Sequence, residues 1–137
     1  MKKVIFIIFI GLFIVGCAIP RNGQASNADI LENSSWTLVG ISNESLNLKK
    51  APTIQFLQNR ASGFNSVNNF NANYKLSNNN LIFSDMVSTR MAALSFELSK
   101  IEERFTNTLL STDFFELKDD FLTIYGANDS LIFKKIK

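Results

Sequence analysis

Short hydrophobic runs alternate with polar turns along most of the chain. From Trp36 onward, apolar side chains recur at every second position, the period of a strand with one buried face. Asn, Asp, Gly and Ser, which favour turns, separate the runs. The pattern predicts seven or eight short antiparallel strands curled toward a barrel. The runs lie at residues 36–41, 53–58, 70–76, 81–83, 114–117, 121–125 and 130–134.

One segment has a different period. Its apolar residues are spaced by three or four positions, as on one face of an α-helix, and they are Met91, Leu94, Leu98, Ile101, Phe105 and Leu109. We expect the helix to begin near Ala93–Ser95, to end near Ser111, and to cover one opening of the sheet. The fold class is therefore α+β, mainly antiparallel β, with one amphipathic helix in a single small domain at residues 34–137.

The first sixteen residues have the pattern of an export signal. Lys2 and Lys3 precede an apolar run from Val4 to Val15, which is shorter than the roughly 20 residues of a membrane-spanning helix. Gly16 then precedes Cys17, the only cysteine in the chain. This order is similar to the lipobox of bacterial lipoproteins and predicts acylation at Cys17. The alternatives are a plain signal peptide with a chance cysteine and an uncleaved anchor.

The exported chain is expected to be electrically balanced. Residues 17–33 are poor in large apolar side chains and are predicted to form the acylated cysteine and a flexible tether. The fourteen basic residues include Lys2 and Lys3, so removal of the signal leaves twelve basic against twelve acidic residues. A neutral chain without a basic cluster predicts no nucleic-acid partner.

The absent residue types exclude several classes of enzyme. The chain has no histidine, which excludes Ser-His-Asp and Cys-His nucleophiles, and acylation would consume its one cysteine. Its six glycines form no phosphate-binding loop. Paired carboxylates are the remaining enzyme option, and the adjacent Asp119 and Asp120 favour a hairpin turn instead. We expect a protein that is not an enzyme and needs no cofactor or metal.

Several residues in order resemble the META domain, whose bacterial members include the HslJ-type envelope lipoproteins. The resemblance covers roughly Asn33 to Phe133, and its most specific piece is Thr-Arg-Met-Ala at 89–92. The other matching positions are Trp36, Gly63, Asn68, Phe70, Tyr74, Glu102, Phe105, Leu109, Leu122 and 131–133. It implies a compact β-rich fold in the cell envelope, without a known reaction.

This sequence departs from the family where members often carry two cysteines. Val67 and Ala93 stand at those positions, and Ala72 replaces a turn glycine. If the family cysteines lie close together, Val67 and Ala93 should be buried neighbours in hydrophobic contact.

The candidate binding or structural residues are Asn68, Tyr74, Thr89, Arg90, Glu102 and Phe115. The guanidinium of Arg90 either receives a carboxylate of a partner or braces the strand-to-helix junction through backbone carbonyls. Glu102 is expected to meet a cation such as Arg90 in a structural ion pair, and the alternative role is that of a general acid. Asn68 is expected to bond to local backbone.

An aromatic doublet predicts one exposed ring. Phe114 and Phe115 are adjacent in a predicted strand, so one of them must point outward as a possible contact for a partner. The other phenylalanines of the exported chain mostly occur at core spacing, and Phe64 is a further exception.

Three functions remain open on the sequence. The leading hypothesis is a non-enzymatic envelope module, tethered to the membrane by its acyl chains, that contacts an envelope protein or stabilises the envelope under stress. The second is a carrier of a small apolar ligand inside the curled sheet, and the third is an enzyme using carboxylates alone. In a cell with two membranes, Ala18 after the cysteine favours the periplasmic face of the outer membrane.

Overall fold

The computed structural model describes residues 26–137. The predicted signal peptide (1–16), Cys17 and the predicted tether as far as residue 25 lie outside this range. Two helices, α1 (Asn27–Leu31) and α2 (Phe96–Leu110), accompany nine strands in the described part of the chain. The strands are β1 (Ser34–Ile41), β2 (Glu44–Ser45), β3 (Thr53–Leu57), β4 (Arg60–Phe64), β5 (Asn69–Ser77), β6 (Asn80–Ser88), β7 (Phe114–Lys118), β8 (Phe121–Tyr125) and β9 (Ser130–Lys135).

Eight of the strands close into an antiparallel barrel. The strand order is β1-β3-β4-β5-β6-β7-β8-β9, and β9 pairs back onto β1. The short β2 extends the sheet beside the end of β1, where Gly40 pairs with Ser45. β6 and β7 meet through one residue pair, Asn80 with Phe114. The prediction of a curled, mainly antiparallel sheet with one amphipathic helix is confirmed.

The two helices lie at opposite ends of the barrel. The β3–β4 and β5–β6 turns share one end because successive hairpins alternate ends, and both bond to α1 and the residue after it. Asn27 donates to Asn79 Oδ1 at 2.6 Å, and the backbone N–H of Gln58 donates to Glu32. At the other end, Ser66 in the β4–β5 loop donates to the Leu98 carbonyl of α2 at 2.8 Å. We call these the α1 end and the α2 end.

The short helix α1 lies within the segment that was predicted to be a flexible tether. Ser26 and Asp29 form a capping box, in which the Ser26 hydroxyl accepts from the Asp29 N–H and the Asp29 carboxylate accepts from the Ser26 N–H. Leu31 is fully buried in the core. A flexible tether up to residue 33 is therefore wrong for residues 26–33, which belong to the folded domain.

The helix prediction for α2 is confirmed at both ends. Ser95 caps its N-terminus by accepting from the Leu98 N–H, and Ser111 follows its last turn. Ile101, Phe105 and Leu109 carry the apolar face into the core. Met91 and Leu94 precede the helix, and both side chains are exposed.

Side chains fill the interior of the barrel. The largest fully buried ones are aromatic: Trp36, Phe56, Phe70, Phe105, Phe115 and Phe133. The ring of Phe105 lies edge-on to both Phe70 (5.5 Å between centroids) and Phe133 (6.0 Å), so α2 closes its end of the barrel with an aromatic side chain. A single hydrophobic cluster runs from Leu31 to Phe133, so residues 26–137 contain a complete core and can fold as a unit.

The sequence pattern missed β2 and β4 and shortened β6. In β4, the buried residue is the small Ala61, and Gly63 stands where a larger side chain has no room. The strand therefore lacks the alternating large apolar residues by which a strand is recognised in the sequence. In β6, Asp85 has a left-handed backbone (φ 52°), and the register with β5 shifts between Asn71 and Asn73. This bulge interrupts the alternation beyond Phe83.

The close approach at Gly63 gives a test of the barrel. A Cβ at this position would lie 2.0 Å from the Thr53 carbonyl oxygen, so we expect Gly63→Ala to cost about 2 kcal/mol or more of unfolding free energy. Gly40→Ala is the matched control, since its Cβ would lie 3.1 Å from the Glu44 carbonyl oxygen. Urea unfolding measures both variants, and equal stabilities would contradict the β3–β4 register.

Candidate functional site

A buried polar loop joins β4 to β5 at the α2 end. Asn65, Ser66, Val67 and Asn68 are all at most 7% exposed. The Asn65 side-chain oxygen accepts from the N–H groups of Val67 (3.2 Å) and Asn68 (2.7 Å), and this turn places Ser66 at φ 89°. The loop is therefore held by its own asparagine and not by strand pairing.

Asn68 connects this loop to two other segments. Its Oδ1 accepts from the Thr89 hydroxyl at 2.8 Å and from the Met91 N–H at 2.7 Å. Its Nδ2 donates to Glu102 Oε1 at 2.7 Å and to the Met91 carbonyl at 3.3 Å. Both amide atoms are thus fully used, and the expectation of purely local bonding is corrected: Asn68 holds the β6–α2 connection against the β4–β5 loop and α2.

An apolar groove of about 570 Å³ lies beside this junction, on the outside of the barrel. Its walls come from the β2–β3 connection, the end of β4, the β4–β5 loop, the β6–α2 connection and the first turn of α2. The lining residues are Leu48, Lys49, Lys50, Phe64, Ser66, Val67, Met91, Ala92, Leu94 and Leu98. A predominantly apolar pocket of this size is typical of a binding site for an apolar group.

Three large apolar side chains are exposed on the groove wall and at the start of α2 that follows it. Met91 is 60% exposed, Leu94 is 95% exposed and Phe96 is 78% exposed. We call these three residues the apolar lip. Exposed apolar side chains that cluster in this way mark interaction sites more often than isolated ones do.

Lysines flank the groove and the lip. The Lys50 ammonium lies 3.9 Å from the ring centre of Phe64, and the Lys100 ammonium lies 5.3 Å from that of Phe96. Lys49 also lines the groove, whose lining includes no acidic residue. Glu97 instead lines the neighbouring cleft with Lys100 and Arg104. The groove is therefore apolar with a positive rim.

The structure brings three of the predicted site residues together and separates the others. Asn68, Thr89 and Glu102 form one hydrogen-bonded cluster beneath the groove. Arg90 is exposed, and the predicted Arg90–Glu102 ion pair is wrong, since Glu102 accepts from Asn65 and Asn68. Within residues 26–137, the Arg90 side chain makes no hydrogen bond. The prediction that Arg90 braces the strand-to-helix junction through backbone carbonyls is therefore also wrong.

Tyr74 lies at the α1 end, far from the groove. Its hydroxyl donates to Glu32 Oε2 at 2.5 Å, and its ring packs edge-on against Phe56. Burial raises the pKa of Tyr74, and the acceptor Glu32 adds to this effect. In turn the Tyr74 hydroxyl holds the pKa of Glu32 below its ordinary value. Tyr74 thus fastens the chain after α1 to the barrel and contributes nothing to the groove.

The aromatic doublet points one ring outward, as expected, and it is Phe114. Phe115 is fully buried opposite Ile124, whereas Phe114 is 36% exposed and lies beside Tyr125 with 5.5 Å between ring centres. The prediction that Phe115 contacts a partner is therefore wrong, because alternate side chains of a strand point to opposite faces and Phe115 points into the core. Of the family cysteine positions, Val67 is buried and Ala93 is half-buried, and their direct contact stays a prediction.

The acidic pair singled out in the sequence, Asp119 and Asp120, lies in a turn. Residues 26–137 contain no group of three or more acidic or other metal-ligating side chains that would hold a metal ion. Asp119 and Asp120 are exposed in the β7–β8 turn, and Asp119 has φ 54°. The hairpin-turn prediction for this pair is confirmed.

The sequence pattern missed the groove because its walls come from separate segments. Met91 and Leu94 were assigned to the helix stripe, although a helix that begins at the Ser95 cap leaves both in front of its first turn. The Leu48-Lys49-Lys50 segment has no periodic pattern. The available signal was the capping serine, which separates the first two stripe residues from the rest.

A second polar anchor fixes α2 to the barrel. Arg104 forms two bonds with Asp129 in the β8–β9 turn, at 3.0 and 2.6 Å, and a third with Glu44 of β2 at 3.0 Å. Arg104 lowers the pKa of Asp129, and the Ser42 hydroxyl contributes to the same shift. This network keeps the helix in place at the α2 end.

Removal of the Asn68 amide should loosen the junction. Asn68→Ala leaves the Met91 N–H without its partner and removes the shorter of the two amide bonds to Glu102 Oε1, so we expect a loss of about 2–3 kcal/mol of unfolding free energy. The neighbouring Asn69 is exposed, and Asn69→Ala should change stability by about 0.5 kcal/mol or less. Equal effects in chemical denaturation would show that Asn68 does not carry the junction.

The Arg104–Asp129 pair predicts a pH dependence. Because Arg104 lowers the pKa of Asp129 below its ordinary value of 3.8, the ionised carboxylate stabilises the fold fully at pH values above 3.8. This stabilisation is lost as the pH falls through the lowered pKa. We expect Asp129→Asn to cost about 1–2 kcal/mol at pH 7 and progressively less below pH 4. Asp120→Asn, at an exposed turn, is the control. A penalty for Asp129→Asn that is unchanged at pH 3 would contradict the assignment.

Comparison with known proteins supports the fold and the family. The model of the META domain matches residues 29–137. An NMR structure of a protein from Burkholderia xenovorans shares 22% identity and a TM-score of 0.66, covering 80% of this chain and 86% of that one. A second NMR structure shares 24% identity and a TM-score of 0.68, covering 77% of this chain and 92% of that one. No curated protein matches the sequence.

The two solved structures show the barrel fold, and the family model covers nearly all of the described residues, in agreement with the resemblance carried by Thr-Arg-Met-Ala. The chain belongs to the META domain family.

Proposed function

We propose that this protein is a membrane-tethered, non-enzymatic binding module of the cell envelope, and that its binding site is the apolar groove at the α2 end. The observation that carries the proposal is the groove itself: about 570 Å³ of apolar space lined by Met91 and Leu94, which are 60% and 95% exposed, with the exposed Phe96 two residues beyond Leu94 at the start of α2. Leaving such side chains in water is costly, and the cost is recovered when an apolar group covers them.

The packed barrel supports a site on the outside. Side chains such as Trp36, Phe56 and Phe133 occupy the interior at 0% exposure, so a ligand inside the sheet would have to displace core residues. The carrier hypothesis therefore applies better to the groove than to the barrel interior. Binding there leaves the core unchanged.

Anchoring at Cys17 would direct the groove away from the membrane. The chain enters the domain at Ser26 on the α1 end, whereas the groove lies at the α2 end. The eight residues 18–25 reach at most about 28 Å when fully extended. A short link to the α1 end favours presentation of the groove toward the surroundings of the membrane. The periplasmic face of an outer membrane, and a contribution to envelope stability under stress, are parts of this proposal.

A protein partner is a second candidate occupant, and the apolar lip favours it. Leu94 and Phe96 extend beyond the groove floor, so a small molecule in the groove leaves much of both side chains in water. A protein surface would cover the lip and the groove together.

Site-specific photocrosslinking in cells tests the proposal. A photoreactive residue in place of Leu94 should give a discrete adduct, either a protein or a small molecule, identified by mass spectrometry. Ile82, which is 54% exposed and outside the groove, is the matched control position. Because both side chains are exposed, neither substitution should unfold the domain.

The Cys17→Ala form tests the anchor in the same experiment. We expect membrane release of this form and loss of the Leu94 adduct when the occupant is found only at the membrane. Equal adducts from positions 94 and 82, or none from either, would contradict the groove as the binding site. Retention of Cys17→Ala in the membrane would contradict the acyl tether.

A further inference from the structure

We propose that the groove binds a single-chain anionic amphiphile, with its alkyl chain along the groove floor and its carboxylate or phosphate head group near Lys49 and Lys50. This inference rests on the proposed function and names the chemistry of the occupant. It commits to a lipid-like molecule, and binding of a protein segment is one of the outcomes that would overturn it.

The floor suits an alkyl chain. Val67 is 7% exposed at the base, and Phe64, Leu98 and Leu48 are half-buried around it. Burial of each methylene group contributes about 0.8 kcal/mol, so a chain gains affinity with every carbon that the floor accommodates. A groove of about 570 Å³ lies within the range of roughly 300–1,000 Å³ that is typical of sites for molecules of this size.

The positive rim suits an anionic head group. Lys49 and Lys50 line the groove, and the Lys50 ammonium is held over the Phe64 ring at 3.9 Å. No acidic side chain lines the groove, and Glu97 of the helix start lines a separate cleft with Lys100 and Arg104. This local excess of cations occurs in an exported chain that carries equal numbers of basic and acidic residues.

The polar groups of the groove favour an alkyl chain over a peptide backbone. A buried peptide needs a hydrogen-bond partner for each N–H and C=O. The Asn68 amide next to the groove is already used by Thr89, Met91 and Glu102. The Ser66 hydroxyl donates to the Leu98 carbonyl. An alkyl chain makes no such demand, so the groove accepts it without an unpaired polar group.

Calorimetry with ten-carbon amphiphiles tests the head-group preference. The probes are decanoate, decyl phosphate, decyl maltoside and decyltrimethylammonium, each below its critical micelle concentration, with the domain of residues 26–137 at low ionic strength. We expect the two anions to bind about tenfold more tightly than the cationic probe, and this ratio to shrink with added salt. Tighter binding of decyl phosphate than of decanoate would indicate a phospholipid source, and the reverse order a fatty acid.

Charge-neutral variants identify the residues responsible. Lys49→Gln with Lys50→Gln should remove most of the preference for anions while leaving decyl maltoside binding unchanged. Lys118→Gln with Lys134→Gln, at exposed positions on β7 and β9, is the matched control and should leave the preference intact. Lengthening the carboxylate from eight to ten carbons should raise affinity roughly tenfold if the floor holds the chain.

The outcomes separate the two proposals. Equal binding of anionic, neutral and cationic probes in the groove would overturn the head-group inference and leave the binding module standing. Absence of binding by every alkyl probe, together with a protein adduct at position 94, would show that the occupant is a protein segment. Absence of both alkyl binding and any adduct would contradict the proposed function as well.

Discussion

The side-chain amide of Asn68 is the contact on which the α2 end depends. Four hydrogen bonds join this one buried residue to Thr89, Met91 and Glu102, and through them to the end of β6, the connection to α2 and the helix itself. Residues 89–95 form neither helix nor strand, and apart from Asn68 they are held by bonds between Thr89 and Asn69 at one end and by the Ser95 cap at the other. Because Met91, Ala92 and Leu94 form one wall of the groove, the shape of the groove depends on the same amide.

A packed barrel explains why binding is expected on its outside. Phe105 reaches from α2 between Phe70 and Phe133, while Leu31 and the Tyr74–Glu32 bond hold the chain at the opposite end. Both openings are therefore closed by side chains of the protein itself. The connections between strands lie around the rim of the barrel. At the α2 end, these connections and the first turn of α2 surround an apolar groove that is flanked by lysines. The packed core and the proposed binding groove thus lie in different parts of one small domain.

Periodic hydrophobic patterns predicted most of the fold, because strand and helix burial repeats locally along the chain. The seven strands with large alternating side chains and the α2 helix with its Ser95 cap were all predictable. β4 was not, because its fit depends on the absence of a side chain at Gly63 opposite Thr53. α1 was not, because five residues with one buried leucine give no periodic signal. Asn68, Thr89 and Glu102 were found through a family resemblance, but the groove was not, because its walls converge only in three dimensions.

Nuclear Overhauser contacts between a methyl-labelled domain and bound decanoate would locate the alkyl chain atom by atom. If the chain lies in the groove, the contacts involve the methyl groups of Val67, Leu94 and Leu98. Contacts with Leu38, Ile54 and Ile124, whose side chains are buried inside the barrel, would contradict binding in the groove.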